Sequence, residues 1–533
     1  MRQYFSSFML YLSGRSSLRL LIILLFLHVF IWTGAQTLAT TNLDRYGDML
    51  ENYAWGQVLE WGSFKHPPLF AWVAGLWFRV FPTTDLAYQF MAYLNVALGL
   101  AGVYRLVLAM RLSAIALPAV ILLCLAFPYS TLAAKFNANS VLLSVWPWVA
   151  LAWWRCIHAQ SGQSALIWSV WFGVAAALAM LGKYFSGVFL LSLFLTSLVF
   201  TAGRQWLLSG RAWLTLFVFI ISMSPHFFWL QQHDFISLRY VGEQGGDGQV
   251  VWRHILRFAL APFLYWGLPW VICALIYAPH ELRWCGLPQR LLKSWACRGW
   301  SDALFWLATL PWMISLLFGL SGKVELSLPW AIPIGFAFPL LWLRNLCIDS
   351  DNVLEAEQVS KQSRALLRVF LMILLAVPPL ALVQGWRDAK TGTDNYYLPR
   401  REAAQALLAQ WHTRYPAEKL AWVGGSWGEN ALLAFYGDQS IRVLPGLPDA
   451  FPATLTPLID WQRKPGLLLC PPVAEPANAQ ALCDSRMQTW LSSKNQQAAP
   501  IIISVARQGW RFPQNRQYEY HAYAYMPATM DGR

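Results

Sequence analysis

The chain has 533 residues, of which 57% are hydrophobic and 13% are charged, and its formal net charge is +13. An average globular domain carries about 25% charged residues, so this composition excludes a soluble enzyme, a disordered chain and a nucleic-acid-binding domain. Long apolar runs together with 31 Trp residues are typical of a polytopic α-helical membrane protein, in which each span uses about 20 apolar residues.

The apolar runs predict about 11–13 transmembrane helices joined mostly by short connections. No small-residue cleavage site follows the first run, which is therefore predicted to be an uncleaved span and not a signal peptide. The predicted spans are 19–38, 88–108, 113–128, 138–155, 166–181, 185–202, 212–230, 254–278, 302–320, 327–346 and 366–386.

Basic residues are concentrated in every second connection between these runs. The N-terminus carries Arg2 and Arg15, whereas the connection after the first span contains the acidic residues Asp44, Asp48 and Glu51. Because Lys and Arg collect in cytoplasmic loops, this alternation predicts a cytoplasmic N-terminus. With an odd number of spans, everything after the last span is expected to lie outside the membrane.

The chain is predicted to contain a transmembrane domain over 1–386 and a soluble domain over 387–533. In the second part a polar helix is predicted near 399–414. Four strand-like runs follow: LAWVGG at 420–425, IRVLP at 441–445, GLLLC at 466–470 and IIISVA at 501–506. Helical stretches with Gly and Pro separate these runs, which predicts a small α/β domain.

Two cysteines, Cys470 and Cys483, lie in this polar region. They could form a disulfide in an oxidising compartment. Two unpaired thiols are an equal alternative, because the sequence does not place the two Cα atoms.

The connection at 39–87 is long and is predicted to form two helices at the membrane surface. Residues 46–60 have helical spacing, Pro67 and Pro68 interrupt the chain, and residues 69–81 are amphipathic and rich in aromatic side chains. The second segment is too short to span a bilayer, so we expect it to lie along the interface. This arrangement brings the acidic and basic residues of the loop to the membrane surface.

Three segments together resemble a known family. Asp48 is followed eighteen positions later by the motif HPP at 66–68, and the segments KFNAN at 135–139 and LGKYFSGVFLL at 181–191 come later. They resemble bacterial membrane glycosyltransferases of the GT-C superfold, in the dolichyl-phosphate-mannose protein mannosyltransferase-like family, relatives of glycosyltransferase family 39 and of lipid A aminoarabinose transferases. The similarity covers about the first 350 residues. It implies an inner-membrane enzyme with a periplasmic C-terminal domain.

The implied reaction moves a sugar from a polyprenyl-phosphate carrier to an acceptor outside the membrane. It needs a carboxylate that accepts the proton of the attacking hydroxyl, and Asp48 is the predicted general base. It also needs cationic or N–H donors that stabilise the departing phosphate. The predicted donors, all on the outer side of the predicted topology, are Arg45, Lys65, His66, Lys135 and Lys183.

Several of these residues have structural alternatives. Glu51 is predicted to support the site, or to lie on the helix surface. Lys135 and Lys183 border spans, where basic side chains also extend to lipid headgroups, and His66 could instead fix the turn of the loop. Arg239, in the loop at 231–253, is a weaker candidate for the site, and that loop could cover it.

The sequence departs from the family pattern at two places. Many relatives have an acidic pair in the first loop, where Asp48 is here followed by Met49, and an Asp in the second loop, where this chain has Asn137 and Asn139. Divalent cations prefer several carboxylate oxygens, so phosphate stabilisation by Lys and Arg is predicted, without a metal or other cofactor. The two Asn residues are predicted to bind the sugar or the loop backbone, although Asn139 could simply cap the next helix.

The sequence thus predicts an inverting glycosyltransferase whose partners are membrane lipids, a polyprenyl-phosphate-linked sugar and a glycolipid acceptor such as lipid A or lipopolysaccharide. Protein O-glycosylation is the alternative within this class. A lipid-linked sugar flippase or transporter is less favoured, because no internal repeat is found and polar residues inside the spans are few. A non-catalytic envelope scaffold, interacting through its C-terminal domain, is the third possibility.

Overall fold

The computed structural model describes most of the chain. The described ranges are 15–44, 47–159, 162–243, 250–277, 286–347, 356–391, 397–450, 460–472, 478–497, 499–508 and 516–527. In chain order, the helices of these ranges are α1 Arg15–Ala39, α2 Asp48–Gly56, α3 Leu69–Phe78, α4 Asp85–Ala109, α5 Ala116–Cys124, α6 Leu142–His158, α7 Gln163–Gly182, α8 Ser186–Val199, α9 Thr201–Leu207, α10 Gly210–Gln232, α11 Ile236–Glu243, α12 Trp252–Ala259, α13 Ala261–Ile276, α14 Leu287–Ser294, α15 Ala303–Leu320, α16 Phe338–Cys347, α17 Ala356–Thr391, α18 Arg400–Arg414, α19 Leu432–Tyr436 and α20 Asn478–Ser493.

The protein is a multi-pass membrane protein with a small C-terminal sheet, as the sequence predicts. Within the described ranges, 8 segments are long and apolar enough to cross a membrane, or up to 10 if two bent helix pairs each count as one span. The 8 segments are Ser17–Ala39, Asp85–Ala109, Gln163–Gly182, Gly210–Gln232, Trp252–Ile276, Ala303–Leu320, Leu328–Cys347 and Val359–Thr391.

Three predicted spans differ from straight membrane helices. The run predicted at 113–128 becomes Ser113–Cys124 followed by Phe127–Ala134, bent by 80°, and the run at 185–202 becomes α8 and α9, bent by 112°. The run at 138–155 is α6, which has only 17 residues. The first bend matters for the site, because its second arm ends immediately before Lys135.

Tryptophan side chains lock α6 against α8 in the helical core. The indole N–H of Trp146 donates to Oγ of Ser186 at 3.0 Å, and that of Trp153 donates to Oγ of Ser197 at 2.9 Å. A buried indole needs such a partner, because an unpaired N–H in an apolar interior is costly. These bonds fix the orientation of α6, whose first turn follows the segment KFNAN.

The long connection after α1 forms α2 and α3, the two helices predicted from sequence. Their backbones touch where glycines meet, since a Cβ added to Gly56 would lie 2.6 Å from the backbone nitrogen of Gly75. The prediction of an amphipathic second helix is wrong, because α3 carries no polar side chain. This helix buries Phe70 and Phe78, and Phe78 packs edge-on against Tyr53 of α2 with ring centroids 5.5 Å apart. As a result, α2 is held rigidly against the end of the helix bundle.

A mixed five-stranded sheet follows the last span. Its strands are β1 Trp422–Gly425, β2 Arg442–Val443, β3 Gly466–Leu469, β4 Pro500–Ala506 and β5 Gln517–Tyr525. They are ordered β2-β1-β3-β5-β4; β1 pairs in parallel with β2 and β3, whereas β5 pairs antiparallel with β3 and β4. Four strands coincide with predicted strand-like runs, but the sequence interpretation missed β5.

A disulfide joins Cys470, which follows β3, to Cys483 in α20, and their Cα atoms are 5.7 Å apart. It decides between the two alternatives that the sequence left open. Trp422, Met487 and Leu491 are buried in the same apolar cluster as Cys470. The bond therefore fixes α20 to one face of the sheet.

Candidate active site

The site is built around the first turn of α2. The Asp44 carboxylate accepts hydrogen bonds from the backbone N–H groups of Asp48, at 3.0 Å, and Met49, at 2.8 Å. Gly47, which lies between Asp44 and Asp48, has φ +76°, a left-handed conformation that glycine adopts without steric cost. This turn satisfies two N–H groups that a helix start leaves unpaired, and it fixes the position of Asp48.

The Asp48 carboxylate is held on one side and open on the other. Its Oδ2 atom lies 2.8 Å from Nζ of Lys135 and accepts a 3.0 Å hydrogen bond from Nδ2 of Asn137. None of the described residues hydrogen-bonds the other oxygen, Oδ1, and 38% of the side chain is exposed. One oxygen of the carboxylate is therefore available to a hydroxyl group.

The charge of Lys135 keeps Asp48 ionised. Burial alone would raise the pKa of the Asp48 carboxyl, but the charge of Lys135 and hydrogen bonds from Lys135 and Asn137 outweigh it, so the pKa is lowered. Lys135 also lies 3.5 Å from Oδ2 of the buried Asp44. Its ammonium group thus bridges two carboxylates.

The segment KFNAN is folded to present Lys135 and Asn137 to Asp48. Oδ1 of Asn137 accepts the backbone N–H groups of Asn139, at 2.9 Å, and Ser140, at 3.1 Å, which leaves the amide nitrogen free to donate to Asp48. Nδ2 of Asn52 in α2 donates to the carbonyl of Phe136 at 2.6 Å. Side chain and backbone contacts therefore both join this segment to α2.

Lys183 lies just beyond the end of α7 and reaches the same segment. Its Nζ atom donates to Oδ1 of Asn139 at 2.6 Å and lies 5.2 Å from the ring centroid of Trp330. Only 9% of Lys183 is exposed, and no carboxylate among the described residues is within ion-pair distance. Burial lowers the pKa of Lys183 to about 7, and the charge of Asp48 opposes this shift.

Glu51, one turn after Asp48, forms a second ion pair. Its Oε2 atom lies 2.7 Å from Nζ of Lys65, and it accepts the indole N–H of Trp427 from the C-terminal region. Burial raises the pKa of Glu51 to about 7, although Lys65 and Trp427 oppose the shift. Glu51 therefore faces the site and not the helix surface.

Aromatic rings enclose the Lys65 ammonium. Its Nζ atom lies 5.1 Å from the ring of Trp427, 5.2 Å from that of Phe64 and 5.9 Å from that of Trp55. Cations are attracted to the faces of such rings, which also exclude water. The ion pair with Glu51 is consequently shielded on several sides.

His66 is close to these charges, but it is not itself a cation. Burial and the charges of Lys183 and Lys65 lower its pKa to about 3, so its imidazole is neutral at ordinary pH. Its carbonyl accepts hydrogen bonds from the backbone N–H of Ser63, at 3.0 Å, and from Oγ of the same residue, at 2.9 Å. The residue fixes the turn before α3, which was the structural alternative in the sequence.

Part of the loop after α10 also reaches the site. Tyr240 in α11 contacts the rings of Phe64 and His66, with centroids 6.1 and 6.3 Å apart. The Arg239 side chain is exposed and has no hydrogen bond or ion pair with the described residues. Of the predicted phosphate ligands, Arg45 lies outside the described residues.

The sequence interpretation missed Asp44 and Trp427 as members of the site. Asp44 could have been found, because it precedes Asp48 by four residues and side chains of this kind commonly cap a helix start. No local pattern marks Trp427, whose partner Glu51 is 376 positions away. Within the described ranges, no group of three or more His, Cys, Asp or Glu side chains is arranged to hold a metal ion.

The chain combines a multi-pass helical bundle, ionised side chains gathered in the loop after the first span and a small sheet after the last span, and this fold is similar to that of GT-C membrane proteins. Residues 65–229 match the family model described as dolichyl-phosphate-mannose-protein mannosyltransferase. This match and the fold confirm the resemblance found in the sequence.

Two solved structures share this fold along nearly the whole chain. ArnT from Cupriavidus metallidurans bound to undecaprenyl phosphate has a TM-score of 0.54 and 15% identity, covering 98% of this chain and 100% of the other. The same protein in the apo state has a TM-score of 0.53 and 15% identity, covering 96% and 98%. No curated protein matches the sequence significantly.

Proposed function

We propose that the protein is a glycosyltransferase that moves a sugar from a polyprenyl-phosphate carrier to a hydroxyl acceptor, with inversion at the anomeric carbon. The observation that carries this proposal is an open carboxylate oxygen on Asp48 together with a buried Lys183 that has no carboxylate within ion-pair distance among the described residues. The first suits a hydroxyl that must lose a proton, and the second suits a leaving group that gains negative charge.

Lys183 differs from two other buried cations in the described ranges. Arg344 pairs with Asp302 at 2.5 Å and Arg400 pairs with Glu429 at 3.4 Å, whereas the described partners of the Lys183 ammonium are an amide oxygen and the ring of Trp330, and no carboxylate. A buried charge without a counter-ion is costly, and an anionic ligand would remove that cost. A phosphate group is the anion that this reaction brings to the site.

The proposed step conserves atoms and charge. The acceptor oxygen forms a bond to the anomeric carbon while the bond from that carbon to the phosphate oxygen breaks, and the phosphate leaves with the electron pair. The acceptor proton passes to Oδ1 of Asp48, whose Oδ2 is held by Lys135 and Asn137. Lys183 and Lys65 would stabilise the departing phosphate. Arg45 and the imidazole N–H of His66 would be further ligands of this phosphate. Asn139 would bind the sugar or orient Lys183.

We propose a glycolipid of the bacterial envelope, such as lipid A, as the acceptor. The resemblance to lipid A aminoarabinose transferases and the structure of ArnT with undecaprenyl phosphate support such an acceptor and a polyprenyl-phosphate carrier. The match of residues 65–229 to a protein mannosyltransferase model favours one second candidate, a Ser or Thr side chain of a protein.

We place the site at the outer face of the bacterial inner membrane, with residues 1–386 forming the transferase domain and residues 387–533 a periplasmic domain. The alternation of basic connections supports this orientation. The disulfide between Cys470 and Cys483 supports an oxidising compartment for the sheet.

Mass spectrometry of envelope lipids and proteins tests the proposal. Cells that contain the wild-type chain should carry a glycosylated product that is absent from cells without it. Asp48→Asn should lower its amount by about a hundredfold or more, as expected for loss of a general base. The control is Asp234→Asn, an exposed position at φ +51° that Asn tolerates well. Equal products from Asp48→Asn and wild-type cells, at equal protein levels, would refute the proposal.

A further inference from the structure

The turn after β1 carries Trp427 from the sheet into the candidate active site. β1 ends at Gly425 with φ +104°, and Gly428 has φ +95°, so left-handed glycines flank the tryptophan. The indole N–H of Trp427 donates to Oε2 of Glu51, and its ring faces the Lys65 ammonium. A side chain of the C-terminal region thus completes an ion pair of the loop after the first span.

The contact is part of a continuous interface along α2. The hydroxyl of Tyr53 donates to the carbonyl of Ala434 at 3.3 Å, and Nε2 of Gln57 donates to the carbonyl of Ile441 at 2.8 Å. At the other end of α2, a Cβ on Gly47 would lie 3.1 Å from Cα of Gly428. The C-terminal region therefore contacts both ends of the helix that carries Asp48 and Glu51.

We infer that Trp427 is a positioning residue of the transfer reaction: by donating to Glu51 and packing over Lys65, it holds the Lys65 ammonium where it meets the phosphate of the lipid carrier. This inference rests on the proposed function and adds to it. The C-terminal region then forms part of the donor-binding site, and does not merely cover it or select acceptors.

The physical basis is the mobility of the lysine side chain. An ammonium group on four flexible bonds finds a fixed position only when its partners are fixed, and the same Glu51 oxygen contacts both Lys65 and Trp427. The Trp427 ring also packs against Trp55 and Phe64, with centroids 5.8 and 5.5 Å apart. Without the indole N–H, Glu51 can rotate and Lys65 can follow it.

Binding of undecaprenyl phosphate to the purified full-length chain in lipid nanodiscs tests this role. Trp427→Phe keeps an aromatic ring but removes the indole N–H. The dissociation constant of this variant for undecaprenyl phosphate should be about tenfold higher than that of the wild type, as expected for loss of a hydrogen bond to a charged group. Trp461→Phe is the matched control, because Trp461 packs on Trp422 and Tyr525 in the same sheet and not at the site. It should bind as the wild type does.

A double-mutant cycle separates positioning from general loosening of the fold. If Trp427 acts through Lys65, adding Trp427→Phe to Lys65→Gln should cost little further affinity. Additive losses of affinity in the double variant, or an unchanged affinity in Trp427→Phe, would overturn the inference. The proposed function would still stand if the wild-type chain binds the lipid phosphate and transfers sugar. Failure of the wild-type chain to bind the lipid phosphate and to transfer sugar would instead refute the proposed function.

Discussion

Asp48 and Glu51 are three positions apart on one helix, yet their environments shift the pKa values of their carboxyl groups in opposite directions. Asp48 is half-open and bonded to Lys135 and Asn137, so its pKa is lowered. Glu51 is more deeply buried, beside Lys65 and Trp427, and burial raises its pKa to about 7. One carboxylate is therefore always ionised at neutral pH, while the other titrates there.

This difference predicts an acidic limb in the pH profile of transfer. A carboxyl with a raised pKa holds its proton up to about pH 7, so below that pH Glu51 is neutral and no longer pairs with Lys65. The transfer rate of the purified chain should fall as pH drops through this range. Glu51→Gln should be less active at pH 8 and lack this limb; an unchanged limb in that variant would assign it to another group.

Lys183 offers a prediction in which affinity and stability change in opposite directions. Its ammonium is buried without a carboxylate partner in the described ranges, so Lys183→Met should leave the unfolding temperature of the ligand-free protein unchanged or higher. The same variant should bind undecaprenyl phosphate about tenfold more weakly or worse. A loss of stability with unchanged affinity would show that Lys183 is a structural residue.

At the level of helices, the site depends on how closely α2 and α3 approach. A Cβ on Gly75 would lie 2.0 Å from the carbonyl oxygen of Gly56, so Gly75→Ala must push the two helices apart. We expect a loss of about 1–3 kcal/mol in stability and a weaker transfer activity, because α2 carries Asp48 and Glu51. The control is Gly34→Ala in α1, where a Cβ meets nothing within 4 Å. Equal unfolding temperatures for the two variants would contradict this packing argument.

The helices were largely predictable, but their breaks were not. Apolar runs and the proline pair at 67–68 predict α2, α3 and most spans, because burial in lipid imposes a strong pattern. The bend between Cys124 and Phe127 lies inside a continuous apolar run, and the residues after it are held by other helices: His28 donates to the carbonyl of Tyr129 at 2.8 Å and the hydroxyl of Tyr93 donates to that of Ser130 at 3.1 Å. β5 was missed although QYEYHAYAY alternates in type, because its buried side chains are four tyrosines and one alanine and include no aliphatic Val, Ile or Leu.

For the whole molecule, chain topology brings together residues that no local pattern connects. Family resemblance pointed to Asp48, Lys135 and Asn137. In the structure, Lys135 and Asn137 both lie within hydrogen-bonding distance of the Asp48 carboxylate. The contact of Trp427 with Glu51 joins the first loop to the sheet after the last span. Both regions can be predicted from the sequence, but their contact with each other cannot.

The orientation of the chain is the claim on which the whole account depends. Asp48→Cys, labelled in intact cells with a membrane-impermeant maleimide that passes the outer membrane, tests it most directly. Cys297, an exposed free cysteine in a basic connection, is the internal control for the opposite face. We predict that position 48 is labelled in intact cells and Cys297 only after the inner membrane is opened. Labelling of Cys297 in intact cells, with position 48 protected until lysis, would contradict the account.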